Sequence, residues 1–204
     1  MKLHQKYTFL PALFLLGVFA PWTAEASPSR FMAMETLVKP PIGHVQFCRE
    51  NRSACRGGTN APVVVRLTEE RWNELIALNS RVNSRIRPVT DEEKFGKPEY
   101  WTFPVDGSGD CEEYVLEKQR ELIAAGWPRS ALLITVAKDV KNAGHAVLTV
   151  RTDQGDMILD NQIEAVLPWY STPYRYIKRQ STRAPAKWTG IADTRVTTVS
   201  SLGQ

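Results

Sequence analysis

Between residues 68 and 160 the hydrophobic period changes once and does not change back. Trp72, Leu75, Ile76, Asn79, Val82 and Ile86 recur at helical spacing, with Thr68 as a helix cap before them and Pro88 as a stop after them. A second helix is predicted from Asp110, with Glu113 in capping-box position three residues on, Tyr114, Val115, Leu122 and Ile123 on its buried side, and Gly126 and Pro128 at its end. Beyond it the runs 131–137, 144–151 and 156–160 are β-branched or apolar, and Asp153-Gln154-Gly155 supplies a turn between the last two. Helices followed by antiparallel strands imply an α+β domain in place of a doubly wound α/β sheet.

The flanks carry no such period. Residues 27–62 are rich in Pro, Gly, Arg and Asn, which predicts irregular or extended chain. Residues 89–110 read as loop around the cluster Tyr100-Trp101-Thr102-Phe103, which is compatible with core packing or with a site. From Lys178 to Gln204 the chain is polar and basic, so it is expected to be a disordered tail after a domain spanning 27–177.

The first residues place the protein in a compartment. Lys2 and Lys6 precede an apolar run from Phe9 to Ala20, and Ala24-Glu25-Ala26 follows as a small-x-small cleavage site, the pattern of a secretory signal peptide over residues 1–26. The run is shorter than the ~20 residues of a bilayer span and contains Pro11. A periplasmic protein is therefore expected. The net charge of +4 falls to +3 without Lys2, Lys6 and Glu25, and the tail alone carries five cations against Asp193. A charge balance of that origin points to a basic tail and not to a nucleic-acid partner.

Three cysteines remain after the leader. In an oxidising compartment Cys48 and Cys55 can pair across their short loop, leaving Cys111 free; the other reading is a zinc site built from His44, Cys48 and Cys55, which lacks an evident fourth ligand. Cys111 sits in the first turn of a predicted helix, where unpaired N–H groups and the helix dipole favour a thiolate. A small buried hydrophobe is the bland reading of that position. His44 and His145 are the histidines available to it. His145 opens an apolar strand among small neighbours, and Asp160 is the polar exception that ends the next one. If Arg151 pairs with Asp156, Asp160 falls opposite Val147 on the face of His145, diagonal to it and within hydrogen-bond reach; a one-residue slip would put it on the wrong face, and a three-residue turn at Asp153-Gln154-Gly155 causes that slip unless a bulge corrects it.

Helix-start Cys, then His, then Asp on adjoining strands is the chain order of papain-like and transglutaminase-like hydrolases. Val82-Asn83, Ile86, Tyr100-Trp101, Gly109-Asp110-Cys111-Glu112-Glu113-Tyr114, Gly144-His145-Ala146-Val147-Leu148 and Leu159-Asp160-Asn161 resemble the bacterial transglutaminase-like cysteine proteinases over residues 40–175. The resemblance implies a papain-like α+β fold and a Cys111–His145–Asp160 triad. The sequence also resembles periplasmic members of that family that release adhesins from the cell surface and bind calcium. These imply a protein substrate such as an adhesin, an inner-membrane receptor as regulator, and calcium held by Asp110 and Glu112, whose charges would otherwise raise the thiol pKa. Asp110 and Glu112 also suit a cap and a first-turn charge. Hydrolysis further needs an oxyanion hole, for which the N–H of Cys111 and the indole N–H of Trp101 are the candidates. The same triad could serve a transglutaminase or a peptidoglycan amidase, and the remaining reading is a catalytically silent binding module.

Overall fold

A computed structural model of the chain describes residues 29–59 and 61–195. The signal peptide read at 1–26 and the end of the expected tail, 196–204, lie outside the described residues. The fold is α+β. Strand β1 (Met34–Val38) leads to helices α1 (Ile42–Glu50) and α2 (Arg52–Cys55), then to the long helix α3 (Glu69–Arg85). Short β2 (Arg87–Pro88), α4 (Asp91–Phe95) and β3 (Ser108–Gly109) precede helix α5 (Cys111–Ala124). Six strands follow: β4 (Leu132–Lys138), β5 (Gly144–Thr152), β6 (Gly155–Leu159), β7 (Leu167–Pro168), β8 (Arg175–Gln180) and β9 (Trp188–Ile191).

Both expected helices form for the expected reasons. The Thr68 hydroxyl accepts from the Arg71 N–H at 3.3 Å, and α3 buries Leu75, Leu78, Asn79 and Val82. At the start of α5 the Glu113 carboxylate reaches back to the Asp110 N–H at 2.9 Å. Glycine is needed at position 109 because a Cβ there would lie 2.5 Å from the Glu113 side chain.

The pairing of β5 with β6 decides where the polar exceptions point. Arg151 faces Asp156 and Leu148 faces Leu159, so Asp160 continues opposite Val147, on the face of His145. The slip is avoided because Thr152 pairs with Gly155 across a two-residue turn, and Gly155 takes φ +120°, where a Cβ would also meet the Arg30 carbonyl at 2.6 Å.

Seven strands form one antiparallel sheet in the order β1-β9-β8-β4-β5-β6-β7, while β2 and β3 pair in parallel beside it. Helices α3 and α5 cover one face, where Leu75, Val82, Leu122, Leu148 and Trp188 make the main core. The other face holds a smaller core of Met32, Val147, Ile158, Trp169, Tyr174 and Tyr176. Among the described residues no helix is long and apolar enough to cross a membrane.

Three expectations need correction. Residues 27–62 were expected to lack regular structure, yet they contain β1, α1 and α2. β1 is an edge strand exposed at all five positions, and α1 buries only Gly43, His44 and Phe47, so neither leaves a readable period. The loop 89–110 contains α4, begun by a capping box between Thr90 and Glu93, and Trp101 joins the main core. The third correction concerns the tail: residues 178–180 and 188–191 lie in the sheet, in a unit that was expected to end at 177. Their polarity is misleading because it is satisfied internally. Arg179 is buried and pairs with Asp156 at 2.8 Å, and Gln180 accepts from Ile134 N–H at 3.0 Å and from Gln119 at 2.9 Å.

Candidate active site

Cys111 is the first residue of α5, and that helix packs across β4 and β5 so that its N-terminus meets the start of β5. Cys111, His145 and Ala146 line one cleft of about 580 Å³, together with Trp101, Val136 and Lys178. The rim is acidic, with Asp91, Glu92, Glu99, Asp110 and Glu112. A second cavity, of about 370 Å³, is lined by Arg56, Arg129 and Arg183 and contains none of Cys111, His145 and Asp160.

His145 and Asp160 are both buried and bonded to each other, Nε2 to Oδ1 at 2.8 Å. That bond engages Nε2 and leaves Nδ1, which faces the Gln162 side chain at 3.3 Å, as the nitrogen able to take a proton. The Gln162 N–H donates to Asp160 Oδ1 at 3.0 Å, and the Tyr174 hydroxyl donates to Oδ2. The Tyr174 ring also stands edge-on to the imidazole, with centroids 5.0 Å apart. Burial alone would raise the Asp160 pKa, but the His145 bond and charge, with the Tyr174 and Gln162 bonds, bring it below the ordinary carboxylate value. Sequence reasoning missed Gln162 and Tyr174. Gln162 carried a faint signal, since a backbone N–H two residues after an Asp commonly folds back on it; Tyr174 carried none.

The thiol is in a contrary environment. Its S–H donates to Glu112 Oε2 at 2.9 Å, and burial, then the charges of Glu112 and Asp110, push its pKa well up, opposed by an N–H bond from Ala146. Asp110 and Glu112 therefore do flank the sulfur as electrostatic opponents. Around them the carboxylates crowd further: oxygens of Asp91, Asp110 and Glu113 lie within 4.8 Å of one another. Burial raises Asp91 to about 6 and Glu113 to about 8, and raises Glu112 strongly. Asp110 Oδ1 is buried without a hydrogen-bond partner among the described residues. Several converging carboxylates with an unpartnered buried oxygen are the donor set that a hard, oxygen-seeking cation fits.

Two further expectations can be placed. Cys48 and Cys55 form a disulfide, which spends both sulfurs and displaces the zinc reading. Trp101 lines the cleft, but its indole N–H donates to Glu99 Oε2 at 3.0 Å, so it is not free for an oxyanion. Cys111 is the first residue of α5, where backbone N–H groups lack an intrahelical acceptor.

Similarity to known proteins identifies the family. The family model described as bacterial transglutaminase-like cysteine proteinase matches residues 34–196. Among solved structures, LapG of Legionella pneumophila is 30% identical, with a TM-score of 0.50, over 57% of this chain and 67% of that one. Its calcium-bound form is 29% identical at TM-score 0.50, over 64% and 74%. The match to the EGTA-treated form, at 30% identity and TM-score 0.47, covers 52% of this chain and 61% of that one. No curated protein matches the sequence. With a family model spanning most of the chain and 29–30% identity to LapG on the same α+β frame, the chain belongs to the bacterial transglutaminase-like cysteine proteinases.

Proposed function

We propose that this protein is exported to the periplasm and hydrolyses an amide bond of a surface or periplasmic protein through Cys111, His145 and Asp160. The observation that carries the reading is the His145 Nε2–Asp160 Oδ1 bond, which leaves Nδ1 as the base in a cleft shared with the thiol. Nδ1 takes the proton from the Cys111 sulfur, and the sulfur adds to the amide carbonyl. The Cys111 N–H, at the positive end of α5, faces the developing oxyanion. The C–N bond then breaks, the amine leaves with the proton from Nδ1, and a thioester remains on the sulfur. Water attacks the thioester, giving its proton to Nδ1, and the released carboxylate leaves the thiol to be reprotonated. Asp160, fixed by Tyr174 and Gln162, holds the imidazole in the tautomer that this cycle needs.

Asp110 and Glu112 are the proposed calcium ligands, with Asp91 and Glu113 beside Asp110. A bound ion supplies positive charge against the two carboxylates that raise the thiol pKa. An adhesin is the proposed substrate, and an inner-membrane receptor the proposed regulator, both by likeness to the family.

The test incubates mature protein with an adhesin from the same cell, with calcium or with chelator, and follows fragments by mass. Wild type with calcium should release a fragment, chelator should suppress it, and Cys111→Ala and His145→Ala should each abolish it. Incorporation of a primary amine without cleavage would make the protein a transglutaminase, release of peptides from sacculi an amidase, and inertness towards all three a binding module.

A further inference from the structure

The base nitrogen of His145 is already occupied in the resting site. The Asp160 carboxylate accepts from His145 Nε2–H and the Gln162 N–H at Oδ1 and from the Tyr174 hydroxyl at Oδ2. A carboxylate so engaged has no proton of its own to give, so Nε2 carries the hydrogen and Nδ1 the ring's lone pair. The side-chain amide of Gln162 donates to that lone pair, Nε2 to Nδ1 at 3.3 Å. The thiol is engaged elsewhere, its S–H donating to Glu112 Oε2 at 2.9 Å. Each reacting atom thus rests on a neighbour, and among the described residues no hydrogen bond joins the two.

The stem of Gln162 is fixed while its amide can move. The Gln162 N–H is tied to Asp160 Oδ1 at 3.0 Å, and α3 pins both flanks: Asn83 donates to the Asp160 carbonyl and Asn79 to the Glu164 carbonyl, each at 2.9 Å. The residue is nevertheless exposed, so rotation about its own side-chain bonds lifts the amide away without moving the loop. Turnover requires that rotation. Nδ1 has to receive the thiol proton and then pass it to the leaving amine, which comes within hydrogen-bond reach of the place where the amide stands. One lone pair serves one donor at a time. We propose that the Gln162 side chain caps the base of the resting enzyme, and that an entering polypeptide displaces it, so that Nδ1 is open to a proton only with substrate in the cleft. The inference rests on the reading of Cys111, His145 and Asp160 above and adds to it a control on when the base acts.

Gln162→Met, similar in length but without a donor, tests this in mature, calcium-loaded protein, with Gln154→Met, an exposed glutamine in the β5–β6 turn, as comparison. Both changes keep the main-chain N–H. At about pH 8, where imidazole is ordinarily neutral, the nitrogen resonance of His145 Nδ1 should move downfield in Gln162→Met and stay in place in Gln154→Met. Alkylation of Cys111 by iodoacetamide without substrate should quicken about fivefold, the worth of one neutral hydrogen bond. KM for a cleaved polypeptide should fall by about as much, with kcat within about twofold. Gln162→Ala should behave as Gln162→Met does. An unmoved resonance with unchanged alkylation overturns the proposal and leaves the amide a chance surface contact. So does a fall of alkylation and kcat together, which would make Gln162 a support that holds the ring. If wild type hydrolyses nothing, or if His145→Ala leaves alkylation unchanged, the earlier reading fails, and the resonance still decides for or against the cap.

Discussion

At the scale of single residues, His44 shows how burial converts into a dependence on pH. It is 1% exposed, and both ring nitrogens face donors, Trp188 Nε1 at 3.2 Å and Gln180 Nε2 at 3.1 Å. Burial lowers its pKa from 6.5 to about 4. The unfolded chain therefore binds the proton more tightly, and stability falls as pH drops from about 6.5 towards 4. Between pH 7 and pH 5 this amounts to about 2 kcal/mol. Asp91 and Glu113, whose pKa values are raised, act with the opposite sign, so the quantity to measure is a difference. His44→Phe should be less stable than wild type at pH 7, and urea midpoints should show that gap narrowing by about that amount at pH 5. Cys111, His145 and Asp160 were legible because each is a polar exception at the start or end of an apolar element. Tyr174 was not, since a tyrosine acquires meaning only from what tertiary packing brings beside it, and Gln162 left only the faint signal of its place two residues after Asp160.

At the scale of elements, the Cys48–Cys55 bridge ties the end of α1 to α2, with both residues packed at the rim of the main core. Closing so short a loop stabilises the fold by about 2 kcal/mol through the unfolded chain. Neither sulfur lines the catalytic cleft. Cys48→Ser with Cys55→Ser should therefore lower the unfolding free energy, measured by urea denaturation, by that amount while leaving kcat per folded molecule within about twofold. Equal losses in both would mean that α1 shapes the cleft through Pro41 and Ile42, which line it. Elements with a strong period and a cap, α3 and α5, were readable in the sequence, but the β5–β6 register was left open there, because Gly155 reads equally as a third turn residue, whereas it pairs with Thr152. The edge strand β1 and the short α1 were not, because an exposed edge and a nine-residue helix with three buried positions show no amphipathic pattern.

For the whole molecule, the least legible part is also among the most necessary. Strand β8 lies between β4 and β9, and Tyr176, Arg179, Gln180 and Trp188 are all buried. Truncation after residue 177 should leave a chain with exposed apolar surface and no cooperative melt, checked by circular dichroism and dye binding. A truncated chain that melts cooperatively and keeps activity would make the last strands a dispensable annex. Strand β8 was hidden from sequence reading because its charge is answered by Asp156, which stands 23 positions earlier in the chain.

The same topology has a consequence in time. Met34 pairs with Ile191, so the two ends of the described fold meet in neighbouring strands. A chain synthesised from its N-terminus presents positions 111, 145 and 160 before β8 and β9 arrive to complete the sheet around β4. In N-to-C order, the frame beneath Cys111, His145 and Asp160 is therefore finished only by the strands that come last.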